Sequence, residues 1–152
     1  MPQDKVEIAN IILGENADEK VAWENALVSA QEKLAEQPEN IYARFNFSLA
    51  LYHNQKYQES INEYEQIKDS LPSRTLWYQI EPILAYKELK QYDTVLNIIN
   101  QILNNYNRAY SELYVIRGDI YKEQGNIVGA RQEYETALFY NRNLKAAQVA
   151  LD

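Results

Sequence analysis

Apolar residues recur along the chain at the three- and four-residue spacing of amphipathic helices, and the pattern itself repeats. Four segments begin with a large apolar residue and continue with this spacing: WENALVSAQEKLAEQP (23–38), YQESINEYEQIKDSLP (57–72), YDTVLNIINQILNNYN (92–107) and IVGARQEYETALFYNR (127–142). Their first residues are separated by 34, 35 and 35 positions. A second helical stretch precedes each segment, for example NIYARFNFSLALYHNQK and YSELYVIRGDIYKEQGN. The pattern therefore predicts a series of helix–turn–helix units.

Within each unit, small residues recur where two helices must approach closely, and large residues recur beside them. Ser48 and Gly118 stand at repeat position 8, Ser60 and Ala130 at position 20, and an aromatic residue stands at position 24 of both units, Tyr64 and Tyr134. Gly125 falls in the predicted turn, and Pro38 and Pro72 fall at position 32. This arrangement resembles the tetratricopeptide repeat, a helix–turn–helix unit of about 34 residues.

The resemblance implies an all-α fold, because each helical hairpin exposes an apolar face that only the next hairpin covers. We expect a right-handed α-solenoid, or superhelix, of about four such repeats in a single domain spanning residues 1–152. The repeats fall approximately at 7–40, 41–75, 76–110 and 111–142, followed by a short capping helix at 143–152. Whether this array is complete with a minimal cap or was cut from a longer protein is left open.

The third repeat departs most from the family pattern. Its positions 8 and 20 hold Ile83 and Val95, which should keep its helices further apart, and Pro82 interrupts the stretch LWYQIEPILAYKEL (76–89). Because the apolar spacing continues past the proline, we expect a bent helix around Pro82, capped by Thr75 or Ser73. The alternative is that Glu81 and Pro82 begin a shorter helix after one loose turn.

Composition and charge narrow the function classes. The chain has 152 residues, a net charge of −7 and no cysteine, which excludes disulfides, thiolate metal sites and a cysteine nucleophile. It has no basic stripe of the kind that nucleic-acid binding requires. Its longest apolar run, IANIIL (8–13), is too short to span a bilayer. We expect a soluble protein without membrane insertion, cytoplasmic by default, with an exported or envelope-associated parent protein as the alternative.

No constellation typical of an enzyme or a cofactor site is present. His53 is the only histidine, and it has no partner at a recognised motif spacing, so we interpret it as a solvent-facing or groove-edge residue. The four glycines form neither a P-loop nor a dinucleotide fingerprint. We therefore expect neither catalysis nor a metal ion nor another cofactor.

The family resemblance implies a concave groove lined by positions 2, 5, 6, 9, 12 and 13 of the first helix of each repeat. The groove residues that we select are Tyr42, Phe45, Asn46, Leu49, Tyr52, Trp77, Ile80, Glu81, Leu84, Val115 and Asp119. Aromatic and aliphatic side chains dominate this set, as they do in many interfaces. The alternative is that a tight superhelix or another segment fills the groove.

We therefore expect a non-catalytic scaffold that binds a peptide or helix of a partner protein, anchored by aromatic groove residues. Glu81 and Asp119 would select a basic residue of that partner, and replacing Trp77 and Phe45 with Ala should abolish capture without loss of helix. The chaperone-binding family members form a carboxylate clamp with Lys, Asn and Arg at positions 2, 5, 6 and 9, and this chain has no Lys or Arg at these four positions, which argues against such a clamp.

Two alternatives belong to other classes. The array could be a structural spacer or self-association domain, as a monomer or a weak homodimer, within a larger protein. RNA binding, as in the related pentatricopeptide arrays, is disfavoured by the acidic balance.

Overall fold

The computed structural model describes residues 19–152, and these residues form α-helices joined by turns, without a β-strand. The helices are α1 (Glu19–Glu36), α2 (Ile41–His53), α3 (Tyr57–Glu65), α4 (Thr75–Tyr78), α5 (Glu81–Glu88), α6 (Tyr92–Asn105), α7 (Ser111–Glu123), α8 (Ile127–Tyr140) and α9 (Lys145–Leu151). The expected all-α class is confirmed for this part of the chain. The first predicted repeat begins at residue 7, so the prediction of its first helix falls outside the described residues.

Three helices begin where the repeating pattern predicts. Helices α3, α6 and α8 start at Tyr57, Tyr92 and Ile127, the first residues of the second, third and fourth segments. The chain divides into two compact units between Lys90 and Gln91, here called unit 1 and unit 2. This division falls inside the third predicted repeat, so the helices that carry Ile83 and Val95 belong to different units.

The turn before each of these three helices has the same backbone geometry. Gln55, Lys90 and Gly125 have φ angles of 62°, 58° and 82°, in the left-handed region. In each case the backbone N–H donates to the carbonyl three residues earlier, at 2.9, 2.9 and 3.0 Å. These residues are 35 positions apart, so the repeat is present in the backbone as well as in the sequence. Only Gly125 adopts this conformation without a steric penalty.

In unit 1, α2 and α3 form the predicted close hairpin. The Ser60 hydroxyl donates to the backbone carbonyl of Ser48 at 2.7 Å, and both serines are buried. Arg44 Nη1 lies 2.5 Å from Glu63 Oε2 at the rim of the same hairpin. The Asn40 side chain accepts hydrogen bonds from two N–H groups of the first turn of α2, at 3.0 and 3.2 Å, and so caps it. The expected role of small residues at positions 8 and 20 is confirmed here.

In unit 2, α7 and α8 approach closely through a glycine. A Cβ atom on Gly118 would lie 2.7 Å from Cε1 of Tyr134, closer than such atoms come in folded proteins. The Tyr134 hydroxyl donates to Asp119 Oδ1 at 2.7 Å, and Arg117 Nε donates to Glu133 Oε2 at 2.7 Å. Helix α9 packs on α8 and buries Ala147 completely. The predicted helix at 143–152 is therefore present.

Pro82 begins a helix instead of bending one. Helix α4 ends at Tyr78, Gln79 is extended (φ −129°, ψ 94°), and α5 starts at Glu81 with Pro82 in its first turn. The prediction of a continuous bent helix is wrong, and the alternative of a shorter helix after one loose turn is correct. In the first turn an N–H has no carbonyl partner within the helix, so proline loses nothing there. The predicted cap is also wrong, because Thr75 Oγ1 donates to the Pro72 carbonyl at 2.6 Å.

Candidate functional site

The predicted groove residues of unit 1 fall into two groups. Phe45, Asn46 and Leu49 are buried, with 0%, 8% and 1% of their surface exposed. These three residues therefore belong to the core, and the expectation that they line an open surface is corrected. The reason is that α2 packs against α3 and α5 as well as α1, so most of its circumference is covered. The remaining predicted residues keep part of their surface exposed: Tyr42, Tyr52, Trp77, Ile80, Glu81 and Leu84.

In unit 2 the two predicted groove residues, Val115 and Asp119, are buried or already hydrogen-bonded within the protein. Val115 is buried, with 8% of its surface exposed. Asp119 is half-buried, and its Oδ1 already accepts the hydrogen bond from the Tyr134 hydroxyl. Burial, and then this hydrogen bond, raise the pKa of Tyr134, so its hydroxyl keeps its proton. Asp119 is therefore a weaker candidate than Glu81 for recognising a basic residue.

A cluster of four side chains joins α1, α2 and α5 in unit 1. The Trp23 and His53 rings are stacked, with centroids 3.7 Å apart and planes 5° from parallel. The Tyr52 and His53 rings are nearly perpendicular, with centroids 4.9 Å apart and planes 80° from parallel. Nε2 of His53 lies 3.4 Å from Oε1 of Glu81, at the start of α5. We call Trp23, Tyr52, His53 and Glu81 the His53 cluster.

Local interactions hold the cluster in place. Asn54, directly after α2, donates from Nδ2 to the Trp23 backbone carbonyl at 2.9 Å and to the Ala50 carbonyl at 2.7 Å. This side chain fixes the end of α2 to α1, with the Trp23 indole over the imidazole. Glu81 is the first residue of α5, and the extended residue Gln79 separates this helix from α4.

The cluster contains polar atoms that the fold leaves unpaired. Oε2 of Glu81 and Nε1 of Trp23 are buried, and neither has a hydrogen-bond partner among residues 19–152. Oδ1 of Asn46, on α2, is in the same condition. Buried polar groups are normally paired, and an unpaired one costs about 1–3 kcal/mol. The Glu81 and Asn46 oxygens are hydrogen-bond acceptors, and the Trp23 indole nitrogen is a donor.

The charge around the cluster is negative. Burial, and after it the nearby Tyr57, Glu81 and Glu88, together raise the pKa of Tyr52 to about 12. Tyr52 therefore remains a neutral hydroxyl at physiological pH. The acidic surroundings favour a cation over an anion next to Glu81.

Trp77 and Tyr42 are the other partly exposed aromatic residues of the predicted groove. The Arg74 guanidinium lies over the Trp77 ring at 5.2 Å, which is a cation–π contact. Tyr42 is ten residues before Tyr52 on the same helix, a separation of about 15 Å along the axis. We call the partly exposed residues Tyr42, Tyr52, His53, Trp77, Ile80, Glu81 and Leu84 the binding face.

Sequence reasoning missed the role of His53. His53 was expected to face solvent or the groove edge, and it is half-buried between Trp23 and Glu81. A signal did exist, since His53 stands at repeat position 13 and Glu81 at position 6 of the next repeat. Both positions lie on the predicted groove side, so adjacent repeats could have been paired there.

Other kinds of site are not found in the part of the chain that the structure describes. Among residues 19–152, no three His, Asp or Glu side chains are grouped so that they could hold a metal ion. Within the same residues, no helix combines the length and apolar character needed to cross a membrane.

Comparison with the models of known protein families gives no match, and comparison with curated proteins gives none either. The likeness to tetratricopeptide repeats is therefore one of sequence pattern and of the spacing of the turns.

Proposed function

We propose that this chain is a non-catalytic protein-binding module of the tetratricopeptide type, in which the binding face of unit 1 holds a segment of a partner protein. The observation that carries the proposal is the Glu81 carboxylate, which lies among aromatic rings with one oxygen buried and unpaired within the described residues. The segment would carry a basic residue flanked by apolar ones. We also propose that the repeats stack as a right-handed solenoid.

The repeat supports this family assignment at three levels. The sequence positions of small and aromatic residues recur, helices begin at residues 57, 92 and 127, and a left-handed residue precedes each by two positions. Arrays of helical hairpins characteristically present extended surfaces to partner proteins.

The chemistry of the binding face defines the segment that it would hold. A Lys or Arg side chain that reached the Glu81 carboxylate would form a charge-assisted hydrogen bond with it, which is stronger than a neutral one. The aromatic surfaces of Tyr52 and Trp77 would contact the apolar residues on either side. Because the site is acidic and aromatic together, a guanidinium group suits it better than an ammonium group.

Selection from a library of random displayed peptides tests the proposal. Wild-type protein should enrich peptides that combine Arg or Lys with large apolar residues. Glu81→Gln should lose the preference for the basic residue, and Trp77→Ala should lose most binding. Tyr78→Ala is the matched control, because Tyr78 is an aromatic residue of α4 with 65% of its surface exposed and is not part of the binding face.

Two results would contradict the proposal. One is the recovery of no common peptide pattern. The other is a common pattern that Glu81→Gln and Trp77→Ala leave unchanged. Phe45→Ala should not be used in this test, because Phe45 is completely buried and its truncation would cost about 3–5 kcal/mol of folding stability.

A further inference from the structure

The solvent-facing side of α8, in unit 2, carries a stripe of four residues that its neighbours leave uncovered. Val128 and Phe139 have 71% and 82% of their surface exposed, and Gln132 and Glu135 between them are also exposed. The spacing of the four residues is four, three and four, which places them along one line of the helix. This is also the spacing of the seam in a coiled coil.

The order of these residues is nearly the same in both directions. Read from either end, the stripe has an apolar residue, two polar residues and an apolar residue. We propose that two copies of the chain pair through α8 in an antiparallel arrangement about a two-fold axis. Val128 of each copy then packs against Phe139 of the other, and Gln132 of each faces Glu135 of the other.

The polar residues determine the direction of pairing. In the antiparallel arrangement the Gln132 amide donates to the Glu135 carboxylate of the second copy, and symmetry forms this hydrogen bond twice. A parallel arrangement would place the two Glu135 carboxylates against each other, and like charges at a contact are unfavourable. A second copy of α8 therefore fits this stripe in the antiparallel direction and not in the parallel one.

Arg131 adds to the complementarity. Its Nε donates to Oε1 of Glu135 at 3.0 Å within the helix, and both side chains are more than half exposed. In the antiparallel pair, Arg131 of the second copy comes to the position opposite Thr136, next to Glu135. A shallow depression of about 400 Å³ beside these residues gives the aliphatic part of that arginine room to lie against the Phe139 ring; its lining residues are Gln132, Glu135, Thr136, Phe139 and Tyr140.

The size of the contact makes the dimer weak. A helix of 14 residues is about 21 Å long, so a single helix pair buries less than the roughly 1,200 Å² of the smaller stable interfaces. We expect the dissociation constant of the dimer to be about 0.1–1 mM. The pairing is independent of the binding face in unit 1, so either proposal can fail without the other.

Disulfide trapping tests both the contact and its direction, and the chain suits the method because it has no cysteine. Two single variants are made, Gln132→Cys and Glu135→Cys, and are oxidised separately and as an equal mixture. In the mixed dimer the two cysteines face each other, and the other Gln132–Glu135 pair stays intact. Asn104→Cys, at an exposed position of α6, is the control variant.

We expect the mixture to give at least about five times more cross-linked dimer than either variant alone, since disulfides form only between closely facing positions. Sedimentation of the unmodified chain, up to about 1 mM, should show a monomer–dimer equilibrium that Phe139→Ser removes. Circular dichroism should show that Phe139→Ser remains folded, because the side chain is exposed. Three results would each overturn the proposal. The first is a higher yield of cross-linked dimer from Glu135→Cys alone than from the mixture, and the second is an equal yield from Asn104→Cys. The third is sedimentation as a monomer at every concentration.

Discussion

The hairpins α2–α3 and α7–α8 follow the same repeat pattern and achieve close packing by different chemistry. In the first hairpin, a serine hydroxyl donates to a backbone carbonyl of the other helix, from Ser60 to Ser48. In the second, Gly118 leaves the backbone bare and the Tyr134 ring lies on it. The same repeat position therefore requires a small residue in both hairpins, but the energy of each contact has a different origin. Hydrogen bonding contributes in the first, and shape in the second.

The largest effect on stability is expected when a larger side chain disrupts the close packing at Gly118. Gly118→Val should lower the free energy of unfolding by about 3 kcal/mol, because the added carbons overlap a rigid ring that is held by its hydrogen bond to Asp119. Chemical denaturation monitored by circular dichroism measures the loss. The double variant with Tyr134→Ala is the control, since removal of the ring should remove most of the additional cost of valine. An equal cost of valine with and without the ring would refute this explanation.

A smaller effect is expected when the hydrogen bond is broken in the other hairpin. Ser60→Ala should cost about 1–2 kcal/mol, because it leaves the buried Ser48 carbonyl without this donor. Ser48→Ala is the matched comparison and should cost less, since the Ser48 hydroxyl donates only to the Phe45 carbonyl of its own helix. Equal losses in the two variants would show that volume, and not the hydrogen bond between helices, holds this hairpin.

Substitutions in the turns of the two hairpins should change the free energy of unfolding in opposite directions. Gln55 and Gly125 occupy equivalent left-handed positions, so Gln55→Gly should raise the free energy of unfolding by about 1 kcal/mol and Gly125→Ala should lower it by a similar amount. Apart from its chain neighbours, no atom of residues 19–152 lies within 4 Å of a Cβ placed on Gly125, so the stability lost in Gly125→Ala would be purely conformational. Thermal unfolding of both variants measures the shifts, and Gln55→Ala should be close to neutral. A stabilising Gly125→Ala would contradict the turn geometry.

The smallest effect is expected from alkaline titration of the buried tyrosines. Burial raises the pKa of Tyr64 from its ordinary value of 10.0 to about 12. The folded state therefore holds this proton more tightly than the unfolded state, so the stabilisation is complete below pH 10 and is lost as the pH rises towards 12. Tyr64→Phe should make stability less dependent on pH in this window. In the wild type, tyrosinate absorbance should keep rising as the pH approaches 12. A rise that is complete near pH 10 would contradict the burial of these tyrosines.

The sequence predicted the regular parts of this fold because those parts repeat. The starts of α3, α6 and α8, the turn at Gly125 and the small residues in the two hairpins all follow from one register. The break before Pro82 did not follow from it. Apolar spacing continues through that break unchanged, and proline is compatible with a first turn as well as with a kink, so local sequence does not distinguish the two.

The binding face was predicted only in part. Tyr52, Trp77 and Glu81 keep part of their surface exposed, whereas Phe45 and Leu49 lie in the core. Their burial depends on how α5 packs against α2, which repeat positions alone do not determine. The stack of Trp23 on His53 brings together residues 30 positions apart, and such a contact requires the tertiary arrangement of three helices.

The most direct test of the proposed function is to map where a selected basic, apolar peptide binds the intact chain. Backbone amide chemical shifts of isotopically labelled protein, recorded while the peptide is added, give this map. We expect the largest changes at Tyr52, His53, Trp77 and Glu81, in α2, α4 and α5, with the indole N–H signals of Trp23 and Trp77 among them. Changes confined to α6–α9, or no saturable change with a peptide that the selection enriched, would contradict the assignment of the binding face.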